Sequence, residues 1–297
     1  MSDNTVLYDA PGPRARRRSR ISALVAVVAL LVLIGLVAKR LADQGQFSAE
    51  LWGPVLNPST PEFPQVWNLL GQGLVATIKA AALSIVLSLV LGTVIGVGRM
   101  MLGRWSRLPL IGVIELLRGL PVVVSIYFAS RVLPQLGVNL NVLPGGEQLW
   151  FVVIGLTAYN SVIIAEIIRA GVASLPRGQR EAALAVGLTS GQTMRAVLLP
   201  QAFRVMLPAL ISQVVVIVKD TSLAAVLGIY PELLKEGNLI AQNLSNPIQM
   251  LTVVGIIFVI INFSLSRLAV WVERRLSRRS TGAAADEIGL EAQMGQA

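Results

Sequence analysis

Six long apolar runs, separated by polar or proline-rich stretches, dominate the chain. They cover residues 21–38, 74–98, 108–133, 149–168, 203–228 and 248–270. Because about 20 consecutive apolar residues in a helix cross the hydrocarbon core of a bilayer, each run is long enough for one span. In lipid, only helices and closed barrels satisfy their own backbone groups. The pattern therefore predicts an all-α polytopic membrane protein with six transmembrane helices.

The first run has two interpretations, a membrane span or a cleaved signal peptide. A signal peptide has an apolar region of about 7–15 residues, followed by a small-residue cleavage site. Residues 21–38 form a longer run, about 27 Å as a helix, and Lys39 and Arg40 follow it directly. These features favour an uncleaved first span, which follows a basic tail of residues 1–20.

The composition excludes several classes of active site. Only 14% of the residues are charged, against about 25% in soluble chains, which agrees with a membrane protein. The chain contains no cysteine and no histidine. This excludes disulfides, Cys/His metal sites, thiol nucleophiles and histidine acid–base catalysis. We expect neither a metal site nor catalytic residues in this chain.

The basic residues are distributed unevenly between the two sides of the predicted membrane protein. Of 25 lysines and arginines, 18 lie on the side of the N-terminus, with Arg204 and Arg267 at the ends of runs counted among them. Only Lys39, Arg40 and Lys235 lie on the other side, and four lie farther inside the runs. Short loops rich in Lys and Arg stay in the cytoplasm. The net charge of +9 therefore reflects topology rather than nucleic-acid binding, and it predicts that both termini are cytoplasmic.

Residues 166–200 lie between two apolar runs, yet they have helical patterning of their own. Ser174 can cap a short helix that has Pro176 in its first turn. Gly187 can end this helix in the left-handed conformation. Its predicted apolar ridge consists of Ala182, Ala183, Val186 and Leu188.

A second short helix is predicted directly after Gly187. Thr189 and Gln192 match a capping box, in which the side chain of each residue accepts a hydrogen bond from the backbone N–H of the other. The pattern predicts that this helix runs to about Leu199 and that Pro200 ends it. Residues 166–200 thus read as a compact helix-turn-helix at a cytoplasmic membrane face.

Charged residues inside the runs are costly, at about 2.5–3.5 kcal/mol each, so they should face protein or water. Glu115 and Arg118 are three apart and can pair on one helix face, either as a structural ion pair or along a substrate pathway. Lys219 and Asp220 are adjacent and point about 100° apart. Each of them therefore needs a partner from another helix, water or a ligand.

Small and polar residues within the runs predict contacts between helices. Gly92 and Gly96 form a small-xxx-small face for close packing. Tyr159, Asn160 and Ser161 can form hydrogen bonds to a neighbouring helix or toward a cavity, and packing is the favoured interpretation. At the inner end of the same run, Glu166 and Arg169 are expected to pair at the interface.

The spacing in residues 181–200 resembles the cytoplasmic signature of ABC importer permeases. It consists of Glu181-Ala182-Ala183, then Gly187, then Val197 and Leu199-Pro200. Val197 stands where isoleucine is more usual. In that family this loop contains the coupling helix, which docks on an ATPase subunit. The resemblance implies a coupling role for Arg177, Gly178, Gln179, Glu181, Ala182, Ala183, Gly187, Leu199 and Pro200.

Further segments extend the resemblance to the polar amino-acid permeases of the histidine, glutamine and glutamate group. They are residues 115–121, 159–166, 199–202 and 219–223, and the proline-containing tail at residues 6–13 resembles glutamate permeases of actinobacteria. The resemblance implies a type I ABC importer fold and import of a polar amino acid, with glutamate preferred. The implied substrate pathway includes Glu115, Arg118, Tyr159, Asn160, Lys219, Asp220, Thr221 and Ser222.

The resemblance also implies a set of partners in the bacterial cell membrane. A related permease, preferably a different chain, would complete the pore. Two ATPase subunits would bind ATP and Mg²⁺, and an external solute-binding protein would deliver the amino acid. This chain has no G-x-x-x-x-G-K-[ST] loop, so we expect no ATPase site and no cofactor in it.

The predicted chain has four segments, and two other functions remain as alternatives to an importer permease. A permease domain spans residues 74–272 with its coupling loop at 169–203, after the basic tail and the extra helix at 21–38. Residues 273–297 are predicted to form a partly disordered cytoplasmic tail. The alternatives are an ion-gradient-driven secondary transporter, which usually shows internal repeats, and a non-transporting scaffold.

Overall fold

The computed structural model describes residues 12–294, with side chains for residues 12–268, 270 and 271, and all regular secondary structure in this part is helical. The α-helices are α1 (Pro13–Asp43), α2 (Ala49–Leu56), α3 (Phe63–Met101), α4 (Arg107–Gly119), α5 (Val122–Gln135), α6 (Gly146–Ala173), α7 (Arg177–Ala185), α8 (Ser190–Gln192), α9 (Leu199–Asp220), α10 (Leu223–Leu227), α11 (Leu233–Asn243) and α12 (Pro247–Met294). A π-helical segment, Thr193–Leu198, joins α8 to α9. The predicted all-α class is confirmed.

The first of two compact units, Met1–Phe63, contains α1 and α2. α1 covers the predicted first span, and none of its residues is buried. A helix that is apolar all round and has no buried residue is suited to lipid on all sides. After α2, the Thr60 hydroxyl donates to the Gly53 carbonyl at 3.0 Å. Residues 1–11 of the predicted basic tail lie outside the described residues.

The number of helices that can cross a membrane agrees with the predicted six. Within residues 12–294, five helices are long and apolar enough, and a bent helix pair supplies the sixth if it counts as one span. These spans are α1, α3, the pair α4 and α5, α6, residues 190–227, and residues 247–268.

The predicted third span, residues 108–133, is not one straight helix. It is divided into α4 and α5, which meet at an angle of 107°. Proline has no N–H and disfavours helical geometry in the residue before it. Accordingly Leu120 has extended backbone angles, φ −84° and ψ 137°, and Pro121 becomes the N-cap of α5. The predicted third span is therefore a bent helix pair, and the bend at Pro121 was not predicted.

The second unit, Pro64–Ala297, is organised around α6. This helix is the most buried of the candidate spans, and it packs against α5 and α9, while α12 packs against α9 and α11. One core cluster joins α6 to α3, α5 and α10 through residues that include Ala80, Ile126, Leu156 and Ala224. Another joins α6 to α9 through Ile164, Ile168, Met206 and Leu210.

The α3 helix presents its small side chains to the protein and its valines outward. Ser84, Ser88, Gly92 and Gly96 recur every four residues and are all buried. Val86, Val90 and Val94 are more than half exposed. This is the arrangement expected in lipid, where close backbone approach rather than apolar burial drives helices together.

The predicted close packing at Gly92 and Gly96 is confirmed. A Cβ atom at Gly92 would lie 2.6 Å from Ile164 Cγ2, and one at Gly96 would lie 2.9 Å from the Ala165 carbonyl oxygen. Both distances are far below van der Waals contact. The two glycines therefore set the distance between α3 and α6.

Replacing Gly92 with leucine is expected to force α3 and α6 apart and to destabilise the protein by about 1–3 kcal/mol, the usual cost of overpacking. The measurement is the thermal midpoint of the detergent-purified chain. Gly255→Leu is the matched control, because a Cβ at Gly255 meets no atom within 4 Å. Equal midpoints for the two variants would contradict the close packing.

The last described helix reaches into the predicted C-terminal tail. α12 continues as helical backbone to Met294, and the partial disorder predicted for residues 273–297 stays a prediction. Residues 283–285 are three alanines, and alanine is the strongest helix former. Residues 295–297 lie outside the described part.

Candidate functional site

One end of the second unit carries a concentration of arginines. The C-terminal ends of α3 and α6, the start of α4, and α7 meet around one cavity. Its lining includes Arg99, Arg107, Arg169, Arg177 and Arg180. We call this the arginine-rich end, and it contains the segment that resembles the coupling signature.

The start of α7 differs in detail from the prediction. The Ser174 hydroxyl donates to the Gly171 carbonyl at 2.8 Å, so it stabilises the end of α6 instead of capping α7. Pro176 is the N-cap of α7 rather than a residue of its first turn. Proline pre-sets a backbone angle that suits this entry. Only three residues, 174–176, therefore separate the end of α6 from the start of α7.

The end of α7 is as predicted. Gly187 has φ +88°, in the left-handed region that glycine adopts without steric cost. Its N–H donates to the Leu184 carbonyl at 3.0 Å, and the Leu188 N–H donates to the Ala183 carbonyl at 3.2 Å. This pair of bonds is a Schellman motif, which turns the chain sharply after the helix.

The predicted capping box after this turn is also present. The Thr189 N–H donates to Gln192 Oε1 at 2.9 Å, and the Gln192 N–H donates to Thr189 Oγ1 at 3.4 Å. However, the helix does not end at Pro200. It continues through the π segment into α9, with Pro200 in the first turn of α9. Local π geometry is one means by which a helix accommodates a residue that cannot donate.

The exposed surface of α7 includes most of the candidate coupling residues. Exposed are Arg177, Gly178, Gln179, Glu181, Ala182, Gly187 and Pro200, whereas Leu199 is half-buried and Ala183 is 6% exposed. Ala182 and Val186 point outward while Ala183 points inward, so the predicted ridge of four apolar residues is not one surface. α7 packs on the π segment, and Gln201 donates to Gln179 at 2.8 Å.

An ion network joins α3 to α6 at the arginine-rich end. Glu166 pairs with Arg169, as predicted, and also with Arg99 at 2.8 Å. The exposed fractions of the Arg99 and Glu166 side chains are 21% and 29%. Such partly buried, charge-assisted contacts are stronger than surface pairs. Sequence reasoning missed Arg99, because it lies 67 residues before its partner.

Farther along α6, Asn160 links two helices. It is fully buried, donates to the Leu156 carbonyl at 2.8 Å, and accepts from Gln213 Nε2 of α9 at 2.6 Å. Gln213 was not predicted, although its amide stands out in the apolar fifth run. Tyr159 beside it is half-buried. Asn160 therefore forms a contact between helices, as the favoured packing interpretation expected.

The remaining pathway candidates occupy two places that no described contact connects. Glu115 and Arg118 form the predicted pair at 2.9 Å on α4, and nearly half of each side chain is exposed. At the end of α9, Thr221 Oγ1 donates to Val218 and Ser222 Oγ to Lys219, both at 2.7 Å.

Lys219 is exposed and Asp220 half-buried, and neither forms an ion pair among the described side chains. No described side chain therefore supplies an ion-pair partner for either residue. Water, a ligand or another subunit must satisfy them.

Sequence reasoning also missed Glu232, a fully buried carboxylate before α11. It accepts from the backbone N–H groups of Leu234 and Lys235 at 2.9 and 2.8 Å. Burial raises the pKa of Glu232 despite these bonds, which lower it. Glutamate is not among the usual N-cap residues, so the sequence carries no strong signal for this role.

Comparison with known proteins places this arrangement in a family. Residues 84–278 match the model of the binding-protein-dependent transport system inner membrane component family. The glutamate transport system permease protein GluD of Corynebacterium glutamicum is 42% identical over 239 residues, 80% of this chain and 83% of that protein. The glutamine transport system permease protein GlnP of Escherichia coli is 35% identical over 71% of this chain and 92% of its own length.

A solved structure agrees with these matches. The crystal structure of an amino acid ABC transporter with histidines superposes with a TM-score of 0.64 at 28% identity, over 72% of this chain and 96% of that one. The expected permease fold and the predicted family resemblance are both confirmed. The chain therefore belongs to the inner membrane components of binding-protein-dependent transport systems, as a permease with the ABC importer transmembrane fold.

Proposed function

We propose that this chain is a permease subunit of an ATP-driven importer of polar amino acids, with glutamate as its principal substrate, and that α7 is its coupling helix. The observation that carries the coupling role is the geometry of α7. A short helix, fixed by a proline before it and a Schellman motif after it, leaves Glu181 and Ala182 exposed. The names of the relatives GluD and GlnP support the substrate class.

The charge distribution supports a cytoplasmic location for α7. The basic residues of the loops lie predominantly on the side of the arginine-rich end, which is the pattern of cytoplasmic loops. In this orientation both termini are cytoplasmic, and α11 with Glu232 faces outward. ATPase subunits in the cytoplasm then have direct access to α7.

The partners follow from the family and from what this chain lacks. A second, related permease completes the pore, and we favour a heterodimer. Two ATPase subunits bind ATP and Mg²⁺, since this sequence has no phosphate-binding loop of its own. An external solute-binding protein delivers the amino acid, as the family description implies.

Three sets of contacts can transmit movement of α7 to the spans. α7 packs on the π segment, and Gln179 accepts from Gln201 of α9. α9 is joined to α6 through Gln213 and Asn160. α6 in turn holds α3 through Glu166 and Arg99. A push on α7 therefore reaches three spans, which tilt as packed bodies rather than bend.

The substrate site that we propose uses cationic side chains against a substrate carboxylate. Arg118 and Lys219 are exposed at the ends of α4 and α9, so both are accessible to an anion. Asp220, Thr221, Ser222 and Tyr159 supply further polar groups. Glutamine, aspartate and basic amino acids remain substrates to be tested beside glutamate.

The test is reconstitution of the assembly that co-purifies with this chain, followed by uptake of labelled glutamate. We expect uptake that requires ATP inside the vesicle and the binding protein outside it. Uptake that persists without ATP and collapses with an ion gradient would instead identify a secondary transporter. An assembled complex without any flux would identify a scaffold.

A further inference from the structure

The cavity at the arginine-rich end carries a strong positive charge for which the proposed transport function names no anionic ligand. It has a volume of about 710 Å³, within the range of small-molecule sites. Among the described residues that line it are five arginines and no acidic residue. Concave surfaces of one charge concentrate counter-ions, so this cavity attracts anions.

Most of this charge is not neutralised within the described part of the chain. Glu166 pairs with two of the arginines, Arg99 and Arg169. Arg107, Arg177 and Arg180 form no ion pair with any described side chain. These three come from α4 and α7 and line the same cavity, so an anion bound there faces cations from two helices.

A buried hydroxyl provides a second, independent indication of a ligand. Thr193 is 1% exposed, and its Oγ1 atom has no hydrogen-bond partner in the described structure, although the residue lines this cavity. A buried polar atom without a partner is unusual, because burial removes its bonds to water and nothing replaces them. An oxygen-rich ligand would accept from this hydroxyl.

The chemistry of the walls identifies the class of anion. Guanidinium groups bind phosphate oxygens through paired N–H donors. The same cavity also has apolar walls from Met100, Ile111, Val172 and Leu198. Basic pockets between transmembrane helices bind acidic lipid headgroups. Arginines beside an apolar wall suit a phosphate that is attached to a hydrocarbon chain.

We propose that this cavity is a phosphate-binding site, supplied by the headgroup of an acidic phospholipid or by a free phosphate anion. Arg107, Arg177 and Arg180 bind the phosphate oxygens, and Thr193 donates to one of them. The bound phosphate joins α4 to α7. Its occupancy therefore adjusts how firmly α7 is held against the spans.

The test measures binding of phosphatidylglycerol to the full-length chain, purified with its co-purifying subunits in neutral detergent, by native mass spectrometry. Arg107→Gln/Arg180→Gln is expected to weaken binding at least 10-fold, the loss that each charge-assisted bond of about 1.5 kcal/mol produces. The matched control is Arg195→Gln/Arg204→Gln. It removes two exposed arginines that do not line the cavity, and we expect less than a twofold change.

Two further arms complete the experiment. Inorganic phosphate alone, added to the protein in phosphatidylcholine nanodiscs, distinguishes the two sources. A higher thermal midpoint with phosphate identifies the free anion as the ligand, and an unchanged midpoint identifies the lipid. Thr193→Val, which keeps the shape and removes the hydroxyl, is expected to weaken binding of whichever ligand is found. The proposal is overturned if neither ligand binds better than phosphatidylcholine or chloride, or if the control pair weakens binding as much as the cavity pair.

Discussion

Replacing Ala182 with tryptophan is expected to reduce ATP-dependent glutamate uptake by about 100-fold while the subunit stays folded. Ala182 is exposed on α7, so an indole ring there does not disturb the core of this chain. In the proposed complex the same ring would occupy the space of the ATPase surface. Blocking a central interface position costs more than about 2 kcal/mol, and about 2.7 kcal/mol corresponds to 100-fold. Uptake in proteoliposomes and ATPase co-purification measure the effect.

The control is Gly103→Trp, in the turn between α3 and α4. Gly103 is exposed and a Cβ there meets no atom within 4 Å, so it also adds a free tryptophan outside α7. We expect near-normal uptake and an unchanged thermal midpoint for this variant. Full uptake by the Ala182→Trp variant would show that α7 does not couple the spans to the ATPase, even though the chain belongs to the permease family.

The features of this site that depend on a few neighbouring residues were predictable. The left-handed Gly187 and the capping box of Thr189 and Gln192 are complete within six positions. Their hydrogen bonds join groups that are already adjacent in the chain, so no distant contact has to be known. The Glu115–Arg118 and Glu166–Arg169 pairs are local in the same sense.

The backbone geometry at two prolines could not be predicted from neighbouring residues. Pro121 and Pro200 each lie in a run of helix-forming residues, yet the chain bends by 107° at Pro121 and continues helically through Pro200. The missing N–H is the same in both cases. What differs is whether local geometry can satisfy the freed carbonyl, and the π segment before Pro200 is not encoded by any single residue.

The contacts between helices could not be predicted from the sequence either. Arg99 with Glu166, and Gln213 with Asn160, are separated by 67 and 53 positions. The sequence indicates that polar groups in apolar runs need partners, but it does not say which helices are neighbours. The predicted apolar ridge of α7 was wrong for the same reason. Ala183 is buried against the protein, and the sequence does not show which face of a short helix its neighbours cover.

These two contacts determine how the proposed coupling can work. The α6 helix is bonded to α3 at the arginine-rich end and to α9 farther along its length, and Gly92 and Gly96 keep α3 close to it. A helix held on two sides transmits a displacement better than a free one. The movement that begins at α7 is therefore expected to shift α6 together with both neighbours.

Replacing Arg118 with glutamine is expected to reduce glutamate uptake by roughly 10–100-fold. In the proposed substrate pathway this guanidinium binds the side-chain carboxylate, and a charge-assisted hydrogen bond contributes about 1.5–3 kcal/mol. The loss should appear as a raised KM for glutamate and should be smaller for glutamine, which carries no negative side chain. Initial uptake rates over a substrate series measure it.

The single substitution also leaves Glu115 without its partner at 2.9 Å, and its free charge would repel glutamate. The double variant Glu115→Gln/Arg118→Gln removes both charges and separates the two causes. If Arg118 binds the substrate, the double variant transports glutamate as poorly as Arg118→Gln or only slightly better. If the pair merely orients α4, neutralising both members is tolerated because no uncompensated charge remains. Near-normal glutamate uptake by the double variant would therefore assign Arg118 to the structure of α4 and remove it from the substrate pathway.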